Sequence, residues 1–293
     1  MTVSPLAAPA QAATAPTVTA KGAFMLNNAT GATVYSKGAD TKRQMASTTK
    51  IMTAAVVLST TNLDLNRKVT VKQAYRDYVT AQGASTADLR TGDKVTVRQL
   101  LYGTMLPSGC DAAYALADAF GTGTTLAARK TNFISKMNAK ASSLGLTNTK
   151  FDSFDGITTT GNNYTTPRDL AKLARYAMKN TNFRAVVKAP SYKSTATTST
   201  GGTRTYTWYN TNKLLGSYSG ATGIKTGTGS TAGPCLVFSA TRGTKTLIGV
   251  VLNSTTVTER YNDAGKMLNY GFGTSTTSSP MKLRTLPAGA QQD

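Results

Sequence analysis

The 293-residue chain contains no histidine. That absence excludes a Ser-His-Asp triad, a Cys-His dyad and every His-ligated metal site. Any nucleophilic chemistry must therefore take its base from Lys, Tyr, Asp, Glu or a terminal amine. Acids are scarce as well, 13 in total, and Glu259 is the only glutamate. No pair of aspartates stands in a context that suggests two-carboxylate glycoside hydrolysis. The two cysteines, Cys110 and Cys235, fit neither a zinc spacing nor a disulfide-rich scaffold, so no metal and no cofactor is expected. Long apolar runs are missing too. The longest, near residues 52–58 and 247–252, are far too short to cross a bilayer, and no transmembrane span is expected.

What is present is enough apolar sequence, 40%, for a sizeable core in one large domain or two intimately packed ones. The net charge is +20, with basic residues spread along the chain rather than gathered in a run. Such a balance attracts polyanions, either nucleic acid or the anionic polymers of a bacterial wall. It equally describes a solvated surface that keeps a secreted protein soluble. No nucleic-acid-binding motif accompanies the charge, so no nucleic-acid partner is expected. Residues 1–20 are rich in Ala, Pro and Thr, and Ala8-Pro9-Ala10-Gln11-Ala12 has the small-residue pattern of a signal-peptidase site. A basic n-region and an apolar h-region are missing ahead of it. The expectation is a leader or signal remnant over 1–20 and a secreted, extracellular protein.

Beyond the leader, residues 23–27 and 33–36 alternate around Asn28-Ala29-Thr30-Gly31 and predict a β-hairpin. Residues 47–60 switch to a helical pattern opened by Ser and Thr. Further helices are expected over 96–106, 110–120, 124–143 and 167–180, the last with Pro167 in its first turn. Strand patterns return at 223–228, 235–241 and 246–253, followed by a helix from about 258 to 270 ending at Gly271. The order implies an α+β fold. Its antiparallel sheet is formed from both chain ends with flanking helices, and a mainly helical lobe, about 61–200, is inserted. The main domain spans 21–272, and the Ser/Thr/Pro-rich tail, 273–293, is expected to fray. A cleft between the lobes is where a site would form.

Three short motifs carry chemistry. In Ser47-Thr48-Thr49-Lys50 the spacing sets a hydroxyl and an amine on one helical face. A lysine can take the serine proton only when neutral, a state that burial and a second cation favour. Taken alone, a capping serine followed by a surface lysine is the commoner reading. Ser108-Gly109-Cys110, preceded by Pro107, places a serine in a tight turn with its hydroxyl projecting, or simply caps the next helix. Lys225-Thr226-Gly227, continued by Thr228, opens a strand that an extended substrate can join, or is an ordinary edge strand with a protective lysine.

In this order, the three resemble the signature set of penicillin-binding proteins and class A β-lactamases. Over residues 21–272 the sequence is similar to the low-molecular-mass penicillin-binding proteins, the D-alanyl-D-alanine carboxypeptidase/transpeptidase family. Phe151-Asp152-Ser153-Phe154-Asp155-Gly156 and Thr166-Pro167-Arg168-Asp169-Leu170-Ala171 resemble its intervening segments. The small soluble DD-transpeptidases of actinomycetes, which also carry Cys in the second motif, look most alike.

The resemblance implies that Ser47 is acylated by the penultimate D-Ala of a peptidoglycan stem peptide, with Lys50 as general base. It implies a proton shuttle at Ser108, a supporting positive field from Lys225 and an oxyanion hole from the Ser47 and Thr228 amides. Cys110, Thr226, Gly227, Thr228 and Arg260 are its implied substrate-binding residues. The acyl group would pass to an amine or to water, β-lactams would acylate Ser47, and the protein would act as a monomer in the cell-wall space. Anionic wall polymers are a further possible partner. Cys110 departs from the family's usual Asn, exchanging a strong amide donor and acceptor for a weak thiol, which points toward transpeptidation. Cys110 as nucleophile is a third reading, without a histidine to support it. A class A β-lactamase would need a glutamate between the second and third motifs, and that interval has none. A non-catalytic β-lactam sensor or wall-binding protein is the remaining alternative.

Overall fold

The computed structural model describes residues 14–158, 160–274 and 281–292. The signal-peptidase-like segment at 8–12 lies outside these residues. Strand β1 (Gly22–Asn27) turns into β2 (Thr33–Lys37), and Asn27 Oδ1 closes the turn by accepting the Ala29 amide at 2.9 Å. After β3 (Arg43–Gln44), a 3₁₀ turn over Ala46–Thr49 runs directly into helix α1 (Lys50–Leu58). From the far end of the chain come β9 (Ala221–Gly227), β10 (Cys235–Arg242), β11 (Lys245–Leu252) and α8 (Glu259–Phe272). The two ends join in one antiparallel sheet, ordered β2-β1-β11-β10-β9.

Period-two alternation gives this sheet two buried faces. Phe24, Leu26, Val237, Ile248 and Val250 face the main core with α1. Ala23, Met25, Leu236, Phe238 and Leu247 face a second core, closed by Tyr261, Ala264, Met267 and Leu268 of α8. A hydrophobic sheet covered on both sides is a rigid platform for a strand-borne motif.

Between the sheet's halves lie β4 (Lys68–Thr70), α2 (Gln73–Gln82), β5 (Lys94–Thr96), α3 (Val97–Met105), α4 (Cys110–Phe120) and α5 (Leu126–Ser143). They are followed by β6 (Tyr164–Thr165), α6 (Pro167–Ala177), α7 (Thr181–Lys188), β7 (Ser191–Thr197) and β8 (Thr203–Tyr209). Helix starts carry their own signals. Thr96 and Gln99 form a reciprocal capping box on α3, Thr125 caps α5, and Thr166 caps α6 ahead of Pro167.

The structure departs from the sequence expectations in four places. Residues 167–180 do not form one helix: Asn180 Oδ1 accepts the Asn182 and Phe183 amides and starts a new one, α7. Helix α8 does not stop at Gly271 but runs to Phe272, with Gly273 in the left-handed conformation as its cap. Gly271 is interior because Leu247 and Met25 methyls occupy the space a side chain would need. The inserted section also holds a four-stranded sheet, β4-β5-β7-β8. Lastly, part of the tail that was expected to fray is packed: Met281 and Leu283 join the second core and Leu286 is buried.

Candidate active site

The 3₁₀ turn sets the first motif. In 3₁₀ geometry side chains three residues apart eclipse one another, so Ser47 and Lys50 stack. Ala46 enters the turn at φ +46°, and Thr48 ties it down by donating through N–H and Oγ1 to Met45 O at 3.2 and 2.6 Å. Lys50 is 0% exposed, whereas Ser47 keeps partial access to solvent. Lys50 Nζ has three partners: Ser47 Oγ at 2.9 Å, Asp155 O at 2.9 Å and Cys110 Sγ at 3.3 Å. Three acceptors match the three hydrogens of an ammonium. With one proton removed, two hydrogens still serve Asp155 O and Cys110 Sγ, and the lone pair faces the serine hydroxyl. A serine arranged in this way can lose its proton as it attacks a carbonyl.

A segment absent from the expected site forms the second wall. Phe154, Asp155 and Asn163 grip α1 and the turn before it: Phe154 O accepts from Thr53 Oγ1, Asp155 O from Lys50, and Asn163 Nδ2 donates to Thr49 Oγ1 at 2.8 Å. Gly156, at φ +103°, packs so tightly that a Cβ would lie 2.0 Å from Ala46 O and 2.9 Å from Ser47 N. No other residue fits there. The Asp155 carboxylate accepts from Tyr78 OH (2.9 Å), Ser153 Oγ (3.3 Å) and the Ile157 amide (3.0 Å).

The second motif follows α3. Ser108 sits at φ +63°, is 1% exposed, and its Oγ has no hydrogen-bond partner among the described residues. The relay contact between Ser108 and Lys50 is thus not made in this state. Catalytic hydrogen bonds often tighten only when substrate is bound. Cys110 opens α4 with its thiol 3.8 Å from Ser108 O. Burial pushes that thiol up to about 12, against the pull of Lys50 and with the help of Asp155. A neutral, buried thiol is a poor nucleophile. Cys110 is a buried, free thiol.

Strand β9 brings the third motif onto the first. A Cβ on Gly227 would lie 3.0 Å from both the Ser47 and Thr48 amide nitrogens, so only a bare backbone passes this close. Lys225 Nζ donates to Thr226 O at 3.1 Å, and the hydroxyls of Thr226 and Thr211 share a hydrogen bond at 2.7 Å. Arg260 is 1% exposed; its Nη1 donates to Thr228 Oγ1 at 3.0 Å and its Nη2 to Tyr261 OH at 3.2 Å. These parts stand around a cleft of about 580 Å³, whose walls include Ser47, Cys110, Gly156, Thr228 and Gly229. Lys50, Ser108, Lys225, Thr226 and Arg260 lie buried behind that wall.

The profile of the D-alanyl-D-alanine carboxypeptidase family matches residues 9–256. The chain belongs to this family. It is 60% identical to the D-alanyl-D-alanine carboxypeptidase of Streptomyces sp. strain K15 over 91% of each chain. It is 36% identical to carboxypeptidase DacC of Escherichia coli over 93% of this chain, but spans only 66% of that relative's length. The crystal structure of the Streptomyces DD-transpeptidase superposes with a TM-score of 0.88 at 61% identity, covering 89% of this chain and all of that one.

Within the family's fold, the sequence reading found Ser47, Lys50, Ser108, Cys110 and 225–228, and the structure brings all of them around one cleft. It missed Asp155 as a partner of Lys50, together with Asn163, Thr211 and Tyr78. Asp155 and Thr211 act here partly through backbone carbonyls, which no residue identity announces. Arg260, expected to bind substrate, reaches the cleft wall through its contact with the Thr228 hydroxyl.

Proposed function

We propose that this protein is a serine acyl transferase acting on D-alanyl-D-alanine termini of peptidoglycan stem peptides, through an acyl-enzyme on Ser47. The observation that carries the reading is the buried Lys50 amine 2.9 Å from a partly exposed Ser47 hydroxyl at the cleft wall. In the neutral form, Lys50 takes the Ser47 proton as Oγ attacks the penultimate D-Ala carbonyl. The oxyanion is received by the Ser47 and Thr228 amides; losing one such donor costs ~3 kcal/mol. The intermediate then collapses, and the leaving D-Ala amine receives its proton through Ser108. Lys225 and Arg260 supply the positive field for the substrate carboxylate, with Thr226 and Thr228 as the hydroxyls that present it. The acyl group finally passes to an amine, forming a cross-link, or to water. With a weak thiol at Cys110 in place of an amide, we assign the amine as the preferred acceptor.

β-Lactams fit the same chemistry as covalent inhibitors. The Asp155 carboxylate is already committed to Tyr78, Ser153 and Ile157, which leaves it poorly placed to activate water for rapid deacylation. A peptidoglycan substrate fits a protein that works outside the cell, in the wall space. Fluorescent penicillin should label the wild-type protein and not Ser47→Ala, and labelling of that variant would remove Ser47 as nucleophile. Fast, multiple-turnover nitrocefin hydrolysis would instead make the protein a β-lactamase. Incubation of a D-Ala-D-Ala tripeptide with Gly-Gly should yield mainly the amide product, whereas free acid alone would mean a carboxypeptidase.

A further inference from the structure

One half-buried cation plays no part in the chemistry above. Arg284 lies in the segment after α8, and its backbone N–H donates to Ser217 Oγ at 2.8 Å. Its Nη2 donates to two backbone carbonyls, Asn210 O and Asn212 O, the latter at 3.3 Å. Burial lowers its pKa, opposed by the nearby Tyr261. The segment reaches this position because Met281 lies over α8, where Gly265 leaves room: a Cβ there would come within 2.6 Å of the Met281 terminal methyl.

The two carbonyls flank Thr211, in a loop without regular structure and almost fully buried: Asn210 1%, Thr211 2% and Asn212 0% exposed. Buried carbonyls of irregular backbone need a donor, and Arg284 supplies it for both. Thr211 in turn touches two motifs of the site. Its N–H donates to Leu106 O at 3.1 Å, two residues before Ser108, and its hydroxyl pairs with Thr226 at 2.7 Å. Tyr261 OH, which also accepts from Arg260, donates to Thr211 O at 3.2 Å.

We infer that Arg284 is a positioning residue: by clamping the carbonyls on either side of Thr211, it fixes the spacing between the second and third motifs and the orientation of the Thr226 hydroxyl. The C-terminal segment thereby reaches the cleft without touching substrate. This rests on Ser47 acylation as proposed above.

The test uses the full chain and compares wild type, Arg284→Ala, Arg284→Lys, Thr211→Val and the Ala/Val double variant. Second-order acylation by fluorescent penicillin, peptide kcat and KM, and Tm are recorded, with rates taken at equal margins below each Tm. Arg284→Ala should slow acylation about tenfold, chiefly through a raised KM with peptide, as expected when a binding hydroxyl is misplaced. Arg284→Lys, a point cation that cannot straddle both carbonyls, should recover part of the loss. The double variant should acylate no more slowly than Thr211→Val alone, because both changes remove one linkage. Wild-type acylation by Arg284→Ala, or losses that simply multiply in the double variant, would overturn the clamp. If Arg284→Ala does not fold, Arg284→Lys decides: slowed acylation upholds the clamp and a wild-type rate removes it. A wild-type protein that penicillin does not label would fail the Ser47 reading itself, which is a different result.

Discussion

At the scale of single residues, reactivity is set by which side chains are exposed and which are held. Ser47 reaches the cleft, and the Lys50 amine beside it is buried with three partners. Gly156 illustrates how narrow the tolerance is. A methyl group there would meet Ala46 O at 2.0 Å, so Gly156→Ala must displace the Ser47 turn. Displacement of about 1 Å can cost on the order of a hundredfold in rate. The variant should therefore lose penicillin labelling by roughly that factor, and a near-normal rate would show that Gly156 does not hold the turn. Cys110 gives a prediction of opposite character. With its thiol pushed up to about 12, chiefly by burial, the reactive thiolate is sparse at neutral and mildly alkaline pH. Iodoacetamide at pH 8 should modify Cys110 far more slowly than a cysteine of the unfolded chain. Equal rates would contradict the buried, neutral thiol.

At the scale of elements, local signals and tertiary demands can be separated. The Thr96–Gln99 capping box starts α3, the helix leading into the Ser108 motif. Thr96→Ala should cost about 1 kcal/mol, or roughly 2–4 °C in Tm, and leave labelling of Ser47 unchanged. Asp118 on α4 accepts from Lys72, Tyr75 and Arg129. Burial alone would raise its carboxyl, but these donors outweigh it and hold the carboxyl below the ordinary value. A lowered folded-state value stabilises the protein above the unfolded-state pKa, and that contribution is lost as pH falls through the folded one. Acid unfolding should therefore lose a component below about pH 4, and Asp118→Asn should flatten that limb. A limb unchanged by the substitution would assign it to other carboxylates.

Helices with a clear apolar stripe, such as α3, α4 and α5, were readable within two residues, α3 and α5 with the help of a capping threonine. The second sheet was not. Its β4 and β5 are three residues each and have too few positions to show a period. Helix α7 was hidden because Asn180 looked like the end of one helix rather than the cap of the next.

At the scale of the molecule, the site is assembled from segments far apart in sequence. Residues 47–50, 108–110, 153–156 and 225–228 meet because the sheet is built from both chain ends and the inserted lobe folds back against it. The three motifs were legible because their residue types carry chemistry at fixed spacing. The parts that hold them were not. Asp155 O, Thr211 O and the clamp from Arg284 act through backbone or long-range contacts, which only the folded chain reveals. The charge of +20 remains a property of the whole surface rather than of the cleft, whose lining is uncharged.

The central claim is that Ser47 becomes acylated. Mass spectrometry of the protein after brief exposure to benzylpenicillin, with peptide mapping of the adduct, tests it most directly. A single stable penicilloyl group on the peptide carrying Ser47, absent from Ser47→Ala and formed far more slowly in Lys50→Ala, is the predicted result. No adduct, an adduct on Cys110, or one that persists in Ser47→Ala would contradict the account.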